Sequence, residues 1–420
     1  MAIVTSLSCR WILDSRGIPT LLTGIEIDLK GRKSNGKASV PSGASTGTHE
    51  ALELRDNGKE FHGKGVNMAV ENTLNKIGQK IMGREFTSAQ ELDKFILKLD
   101  KSKNKSEIGA NSILSVSMAA HRAFAQMYNL DLWQYLRRLY FSDLPAVSKY
   151  PRLMCNILNG GAHADNGLDI QEFMIVPNTG EIESDVRLAS EVYQTLKTDL
   201  KKNGLSTGLG DEGGFAPNIT STKQALSLLQ QAITDTGYTS LNCDLALDCA
   251  GSEFYDSKKD VYTLEGNQLN QSKLVDYYKD LIESYPNLIS IEDGLGEDDI
   301  LGWEILTKAL GKKIKLIGDD LFVTNTERFK EIGLKNQIAN GVLIKLNQIG
   351  SVLETCQTIN LAKENDYITI VSHRSGETTD DFISDLAFAS QSEFIKLGAP
   401  ARGERVAKYN RLLEIKESLL

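Results

Sequence analysis

Six apolar segments in the second half of the chain each end on an ionisable residue. The residues at these ends are Asp248, Glu292, Asp319, Lys345, His373 and Lys396. Successive ends are 44, 27, 26, 28 and 23 positions apart, which is about the length of one strand plus one helix. In a parallel β/α barrel the C-terminal ends of all strands meet at one face, however far apart they lie in sequence. The spacing therefore predicts that three carboxylates, two lysines and a histidine converge in one barrel mouth.

The residues before position 248 complete an eight-stranded barrel with an irregular start. Segments 153–158 and 173–176 are typical of strands, and they leave no room for a crossover helix between them, so we expect antiparallel neighbours. A largely helical stretch follows at 181–236, interrupted by the glycine-rich segment 204–214. The expected fold class is α/β: an N-terminal α+β domain followed by an eight-stranded β/α barrel of order ββαα(βα)6.

The first ~140 residues have a different pattern from the rest of the chain. Alternating residues at 25–29 predict a half-buried strand, and a Gly/Ser-rich loop follows at 41–47. Helical periodicity then dominates, in segments 66–82, 88–99 and 110–128. We therefore expect an N-terminal domain at 1–140, with a mobile active-site loop at 41–47, and a catalytic barrel domain at 145–420.

Composition limits the partners of the chain. A formal charge of −9 argues against binding to nucleic acid, and it means that an anionic substrate needs local cations or a metal. No apolar stretch reaches the roughly 18–20 residues of a membrane span, so we expect no membrane partner. Five scattered cysteines and a start without a basic region favour a reducing, cytoplasmic location. Secretion or cell-surface display is kept as a secondary expectation.

Two apparent nucleotide-binding signatures are chance matches. The segment 58–65 has phosphate-loop spacing, but Gly65 has no hydroxyl for magnesium and no strand precedes the segment. The segment 208–213 matches a dinucleotide pattern, yet it leads into Pro217 rather than a helix.

The three acidic strand ends predict a metal site. One acidic residue after a strand is most often a helix cap or a solvated turn, and that is the default interpretation for each of them alone. Asp248, Glu292 and Asp319 at three strand ends of one barrel are better explained as ligands. An oxygen-only set without Cys or His favours Mg²⁺ over Zn²⁺.

Two lysines lie inside apolar segments of expected interior strands. A snorkelling surface lysine is the common explanation for one such residue, but Lys345 and Lys396 each need an anionic partner if their strands are buried. A lysine near a metal has a lowered pKa and can act as a base. One of the two is therefore expected to be a base and the other an electrostatic clamp.

Other candidate residues follow strands or lie in glycine-rich loops. Arg374 and Ser375 form a phosphate cradle if they follow the seventh strand. Glu212 lies between glycines, and Gln171-Glu172 begins the second strand; two close carboxylates raise one pKa and keep a proton available. His163 stands in a glycine loop, where a lone histidine is more often incidental.

Many ordered motifs of the chain resemble those of one family, the enolases (phosphopyruvate hydratases), at the length typical of bacterial members. The resemblance covers nearly the whole chain. The motifs are Asp14-Ser-Arg-Gly17, Pro41-Ser-Gly-Ala-Ser-Thr-Gly47, Asn159-Gly-Gly-Ala-His163, Gly210-Asp-Glu-Gly-Gly214, Leu247-Asp-Cys-Ala250, Ser290-Ile-Glu-Asp-Gly294, Gly318-Asp-Asp-Leu-Phe-Val-Thr-Asn325, Lys345-Leu-Asn-Gln-Ile-Gly350, Ser372-His-Arg-Ser-Gly-Glu-Thr378 and Gly398-Ala-Pro-Ala-Arg402.

The resemblance implies a glycolytic lyase that reversibly dehydrates 2-phosphoglycerate, a small phosphorylated substrate, to phosphoenolpyruvate. It implies that Lys345 removes the C2 proton and that Glu212 protonates the departing 3-hydroxyl. It further implies two Mg²⁺ per active site, the second arriving with substrate, and a homodimer or an assembly of dimers. The other implied positions are Asp248, Glu292 and Asp319 for the first metal, Ser42 for the second, Arg374 and Ser375 for phosphate, Lys396 for the substrate carboxylate, and Gln171, Glu172, His163 and His373 as pocket residues.

Two other functions are weighed against this one. An acid-sugar dehydratase of the same superfamily is disfavoured because no Lys-x-Lys motif closes the second strand and because Ser42, Arg374 and Ser375 are present. A non-catalytic surface-binding role is disfavoured because an inactive chain is expected to lose Lys345, Glu212 or a metal acid. An additional surface-binding role stays open.

Overall fold

The computed structural model describes residues 1–43, 47–146 and 149–419. The predicted loop 41–47 therefore includes three residues, 44–46, that lie outside the described ones. The chain begins with an antiparallel sheet of order β3-β2-β1-β4. Its strands are Ala2–Leu13 (β1), Pro19–Leu29 (β2), Arg32–Ser39 (β3) and Glu85–Phe86 (β4).

Helices pack on one face of this sheet. The helix Ala110–Met127 is rich in small residues, which allows β3 to approach it closely: a Cβ built on Gly36 lies 2.0 Å from the carbonyl oxygen of Ala119. Only glycine fits at that contact. The α-helices here are Asn67–Glu71, Gln79–Ile81, Ala89–Ile96, Ala110–Met127 and Leu132–Tyr140, with a π-helical stretch Asn72–Gly78 between the first two.

Eight of the remaining strands close into a barrel of order β11-β12-β13-β14-β15-β5-β6-β7. The pairs β5–β6 and β6–β7 are antiparallel and the other pairs are parallel. The strands are Arg152–Asn159 (β5), Glu172–Pro177 (β6), Cys243–Asp248 (β7), Tyr255–Asp256 (β8), Val261–Leu264 (β9), Asn267–Leu269 (β10), Leu288–Glu292 (β11), Lys315–Gly318 (β12), Gly341–Ile344 (β13), Ile368–Ser372 (β14) and Phe394–Lys396 (β15). Strands β8–β10 form a separate small sheet.

Helices surround the barrel in the order predicted from the sequence. Two follow β6 before the next barrel strand, which completes the ββαα start, and six strand-plus-helix units follow. The α-helices are Ile182–Lys202, Thr222–Asp235, Gln271–Ser284, Ile300–Leu310, Thr326–Arg328, Leu346–Ile349, Val352–Glu364, Phe382–Ser390 and Gly403–Glu417. The predicted fold class is confirmed.

The barrel interior is closed below the mouth by apolar side chains. They form a cluster separate from the main core: Met154, Met174, Val176, Ala246, Ile317, Leu343, Ile370 and Phe394. Such a filled interior is a core and not a pore, so ligands reach only the C-terminal ends of the strands.

The N-terminal domain is held against that mouth. Ser42 pairs by backbone hydrogen bonds in both directions with Gly376, in the loop after β14. Arg122 donates to Asp380 and Asp381 beside the same loop, and Asp93 accepts a hydrogen bond from the amide of Leu353. These contacts bring residues near position 50 within reach of the barrel's functional residues.

Candidate active site

The six predicted strand ends converge in one pocket. Asp248, Glu292 and Lys396 are the last residues of their strands, whereas Asp319, Lys345 and His373 directly follow theirs. Eleven of the thirteen predicted site residues line this pocket: His163, Gln171, Glu172, Glu212, Asp248, Asp319, Lys345, His373, Arg374, Ser375 and Lys396. Glu292 lies directly beneath, against Lys396, and Ser42 stands to one side on the N-terminal domain.

Lys396 is surrounded by carboxylates. Its Nζ lies 2.9 Å from Asp248 Oδ2, 2.9 Å from Glu292 Oε1 and 3.1 Å from Glu172 Oε2. Burial alone would lower the pKa of Lys396, but Asp248, Glu172 and Glu292 outweigh it and hold the pKa well above its usual value. Lys396 is therefore a fixed cation that neutralises two of the three predicted metal acids.

Lys345 is paired with the third predicted metal acid. Its ammonium donates to Asp319 Oδ2, and Gln348 Nε2 donates to Asp319 Oδ1 at 2.8 Å. Burial by itself would lower the pKa of Lys345, but the neighbouring Asp319 raises it overall. The sequence-based expectation of a lowered pKa concerns a lysine beside a bound metal ion, and it stays a prediction; among the residues alone, Asp319 is the direct partner of Lys345.

A second acidic group adjoins Asp319. Oxygens of Asp293, Asp319 and Asp320 lie within 4.8 Å of one another. The amides of Asp319 and Asp320 donate to the Asp293 carboxylate at 2.9 and 2.8 Å. Burial and the neighbouring Asp319 raise the pKa of Asp320 to about 8. Asp293 and Asp320 were not predicted as site residues, although each directly follows a predicted ligand and forms an acidic pair with it in the sequence.

Two carboxyl groups and a histidine face each other on the opposite side of the pocket. His163 Nδ1 lies 3.6 Å from Glu172 Oε1 and 3.9 Å from Glu212 Oε1. Burial and the charge of Glu212 raise the pKa of Glu172 well above its usual value. The two predicted carboxyl groups therefore lie together beside His163, and their surroundings favour the protonated form of Glu172.

His373 connects Glu212 to a buried arginine. Its Nε2 lies 3.2 Å from Glu212 Oε2, and its Nδ1 is 2.6 Å from Arg405 Nη1. Burial lowers the pKa of His373 to about 3, so the ring is neutral at physiological pH. Asn156 Nδ2 donates to the same Glu212 oxygen at 3.0 Å. Neither Asn156 nor Arg405 carries a sequence signal, because only the tertiary fold brings them to the site.

Arg374 is paired with a residue of the other domain. Its Nη1 and Nη2 donate to Glu50 Oε2 and Oε1, both at 3.1 Å, and Nη1 also donates to Asn347 Oδ1 at 3.1 Å. Ser375 follows it and is buried at the pocket wall. A carboxylate thus occupies the fork of the predicted phosphate-binding arginine. Glu50 was missed because nothing in its local sequence indicates this contact.

Ser42 and Gln171 lie at the edges of the site. Ser42 Oγ donates to Glu53 Oε2 at 3.1 Å and accepts from Arg55 Nη2 at 2.9 Å. It is therefore not grouped with the strand-end acids. Gln171 lines the pocket, and its Oε1 is buried without a hydrogen-bond partner among the residues that the structure describes.

A barrel mouth with acidic strand ends, two buried lysines and neighbouring carboxyl groups is typical of an enzyme of acid–base chemistry, and its acidic clusters could hold a metal ion. The family described as "Enolase, N-terminal domain" matches residues 4–136, and "Enolase, C-terminal TIM barrel domain" matches residues 148–420. The chain belongs to the enolase family.

Curated relatives named "Enolase" cover the whole chain. The protein of Corynebacterium kroppenstedtii is 50% identical over 100% of this chain and 96% of its own length. That of Elusimicrobium minutum is 49% identical, over 100% and 97%. That of Natranaerobius thermophilus is 48% identical, over 100% and 96%. Within the described residues, no helix is both long and apolar enough to cross a membrane.

Proposed function

We propose that this chain is the glycolytic lyase phosphopyruvate hydratase, which reversibly converts 2-phosphoglycerate to phosphoenolpyruvate and water. Membership of the enolase family supports this activity. The residue-level observation that supports it is that five strand-end residues, with Glu212 and Arg374, line one pocket, and that the sixth, Glu292, contacts Lys396. Arg374 and Ser375 line the pocket beside the lysines, which supports a phosphorylated substrate over an acid sugar.

The donor set fits a divalent cation of the Mg²⁺ type. Asp248, Glu292 and Asp319 offer only oxygen ligands, and Glu292 Oε2 is buried without a hydrogen-bond partner among the described residues. Members of the family use Mg²⁺. We infer that these three residues hold a first ion and that Ser42 reaches a second that arrives with substrate. When bound, the ions supply positive charge opposite the substrate's carboxylate and phosphate.

The proposed chemistry divides the pocket into two faces. On one, Lys345 removes the C2 proton once it has released Asp319. On the other face, Glu212 protonates the leaving 3-hydroxyl. The proton comes from the carboxyl pair that Glu212 forms with Glu172 beside His163. Lys396 stabilises the negative charge that develops on the substrate carboxylate, because it is a buried cation already in place. Gln171 and His373 complete the pocket wall.

Phosphate is proposed to bind Arg374 and Ser375. Arg374 has a planar fork that suits phosphate oxygens, and it lies in the loop joined to Ser42. Ser42 must exchange its partners Glu53 and Arg55 before it can serve as a ligand. A rearrangement of Ser42 relative to Glu53 and Arg55 is the proposed means of that exchange.

A direct assay tests the activity. Purified protein is mixed with 2-phosphoglycerate, and phosphoenolpyruvate absorbance is followed with Mg²⁺ and with a chelator. We expect a signal that requires Mg²⁺ and is lost in Lys345→Ala. Folded wild-type protein that gives no Mg²⁺-dependent signal would refute the proposed function, and turnover of a non-phosphorylated sugar acid would instead favour the superfamily alternative.

We also propose a homodimer, a cytoplasmic location and a domain division between residues 140 and 145. Exposed apolar side chains on β1 support an interface: Trp11 is 45% and Leu13 is 53% exposed, and the Trp11 ring contacts Phe61 at 5.5 Å. All five cysteines are free thiols, which supports a reducing compartment. Light scattering of the purified chain tests the dimer, and a monomer at micromolar concentration would refute it.

A further inference from the structure

One buried arginine contacts three functional parts of the mouth. Arg405, in the last helix, is 0% exposed. Its Nη1 donates to His373 Nδ1 at 2.6 Å and to the backbone carbonyl of Arg374. Its Nη2 donates to the carbonyls of Ser375 and of Asp211, the residue before Glu212. A single guanidinium therefore connects the loop of Arg374 and Ser375, the ring of His373 and the loop that carries Glu212.

The contact with His373 determines where that ring carries its proton. A guanidinium only donates hydrogen bonds, so His373 Nδ1 must accept. A neutral imidazole has one N–H, which therefore lies on Nε2. That nitrogen is 3.2 Å from Glu212 Oε2, at angles that do not form a hydrogen bond among the described residues, so the Glu212 carboxyl must turn slightly to accept from it. The ring has little freedom to turn away, because Gly398 packs on it: a Cβ built on Gly398 lies 2.9 Å from His373 Cε1.

We propose that Arg405 is a positioning residue for the reaction: it fixes His373 as the tautomer with its proton on Nε2, so that the ring faces Glu212 as a donor and holds that carboxyl where it delivers a proton. This inference rests on the proposed function, since Glu212 is the proposed acid. The alternative is a purely structural role, in which Arg405 only binds backbone carbonyls of two loops.

The two roles differ in which half of the reaction they affect. Removal of the C2 proton depends on Lys345, which lies on the other face of the pocket and does not contact His373 or Arg405. Loss of the tautomer should therefore lower dehydration and leave exchange of the C2 proton with deuterated solvent largely intact. If Arg405 has only the structural role, its loss should loosen the fold or the loop of Arg374 and Ser375, and both rates should fall together.

Arg405→Lys is the test variant, because it keeps the positive charge and loses the fork. We expect the dehydration rate to fall by at least about 10²-fold, which is the lower end of the rate gain from general acid catalysis. The rate of C2-proton exchange should fall by less than about tenfold. Arg122→Lys is the matched control: Arg122 is half-buried against the barrel and contacts Asp380 and Asp381, away from His373. It should change both rates by the same factor.

A measurement on the wild-type enzyme keeps the inference testable even if Arg405→Lys does not fold. The chain has five histidines, so ring-¹⁵N-labelled protein gives a simple imidazole spectrum, in which His373→Gln identifies the His373 signals. We expect His373 to be neutral and protonated on Nε2 at neutral pH.

The outcomes separate this inference from the proposed function. An inactive wild-type enzyme overturns the function and the inference with it. An active wild-type enzyme in which His373 is protonated on Nδ1, or in which Arg405→Lys lowers exchange and dehydration equally, overturns the inference alone.

Discussion

The ion pair between Glu50 and Arg374 predicts that phosphate binding competes with a residue of the protein itself. Both side chains are almost fully buried, and two parallel hydrogen bonds of 3.1 Å join them. Phosphate presents oxygens to the same fork that the carboxylate occupies. The substrate phosphate should therefore displace Glu50, and the displaced carboxylate belongs to the N-terminal domain.

Glu50→Gln removes the competing charge and keeps the shape of the side chain. Hydrogen bonds to charged groups contribute about 1.5–3 kcal/mol, so removing this competitor should tighten binding of inorganic phosphate by roughly tenfold to a hundredfold. The same change leaves a buried guanidinium without its carboxylate, which should lower the free energy of unfolding by about 3–5 kcal/mol when no phosphate is present. Added phosphate should restore much of that loss, since a ligand of the native state stabilises it by mass action.

Titration calorimetry with inorganic phosphate measures the affinity, and thermal unfolding with and without phosphate measures the stability. Glu53→Gln is the matched control, because Glu53 lies nearby but pairs with Arg55 and Ser42. It should leave phosphate affinity within about twofold of wild type. Phosphate affinity in Glu50→Gln that equals or falls below the wild-type value would refute the competition, and would mean that Arg374 binds Glu50 and phosphate together.

Three further predictions follow from individual residues. Lys345→Ala should abolish exchange of the C2 proton, whereas Glu212→Gln should block dehydration and leave exchange partly intact; equal loss of exchange in both variants would overturn the base and acid assignments. Burial raises the pKa of Asp93 from 3.8 to about 7, so the folded chain binds this proton more tightly than the unfolded chain. Stability should fall as pH rises from about 4 to 7, by up to about 4 kcal/mol from this group, and Asp93→Asn should flatten that part of a urea-denaturation profile; an unchanged profile would contradict the shift. Gly398 has a φ of 76°, and a Cβ there lies 2.8 Å from Glu212 O, so Gly398→Ala should lower kcat by at least about tenfold, measured against Gly403→Ala, where a Cβ meets nothing.

The sequence predicted the barrel because the barrel's geometry repeats. Four of the five intervals between strand ends have similar lengths, and each buried strand is a continuous apolar run, so the ionisable residue at its end is visible without any tertiary information. Asp248, Lys345 and Lys396 were found in this way, and the structure brings all three to one pocket. The irregular start was also predictable, because the short gap between the first two strands cannot hold a crossover helix.

The contacts that the sequence did not predict share a different origin. Glu50, Asn156 and Arg405 reach the pocket from a loop of the N-terminal domain, the middle of a strand and the last helix. No period or motif links such positions to the strand ends, because their arrival depends on how two domains and a terminal helix pack. The pairing of Lys345 with Asp319 has the same origin: the spacing placed the lysine near the acidic strand ends, but it did not show that Asp319 is its direct partner.

The pairings within the site explain how so many charged groups remain buried in one mouth. Every cation expected to meet a ligand already meets a carboxylate: Lys396 meets Asp248 and Glu292, Lys345 meets Asp319, and Arg374 meets Glu50. A buried charge without a partner costs several kcal/mol, so these pairs make the site compatible with a stable fold. On the proposed site assignments, metal and substrate would bind by exchanging partners: a metal cation would take carboxylates from the lysines, and the phosphate would take Arg374 from Glu50. Because each exchange releases a group that the next step needs, including Lys345 as a base, binding of metal and substrate and readiness for catalysis should be coupled rather than independent.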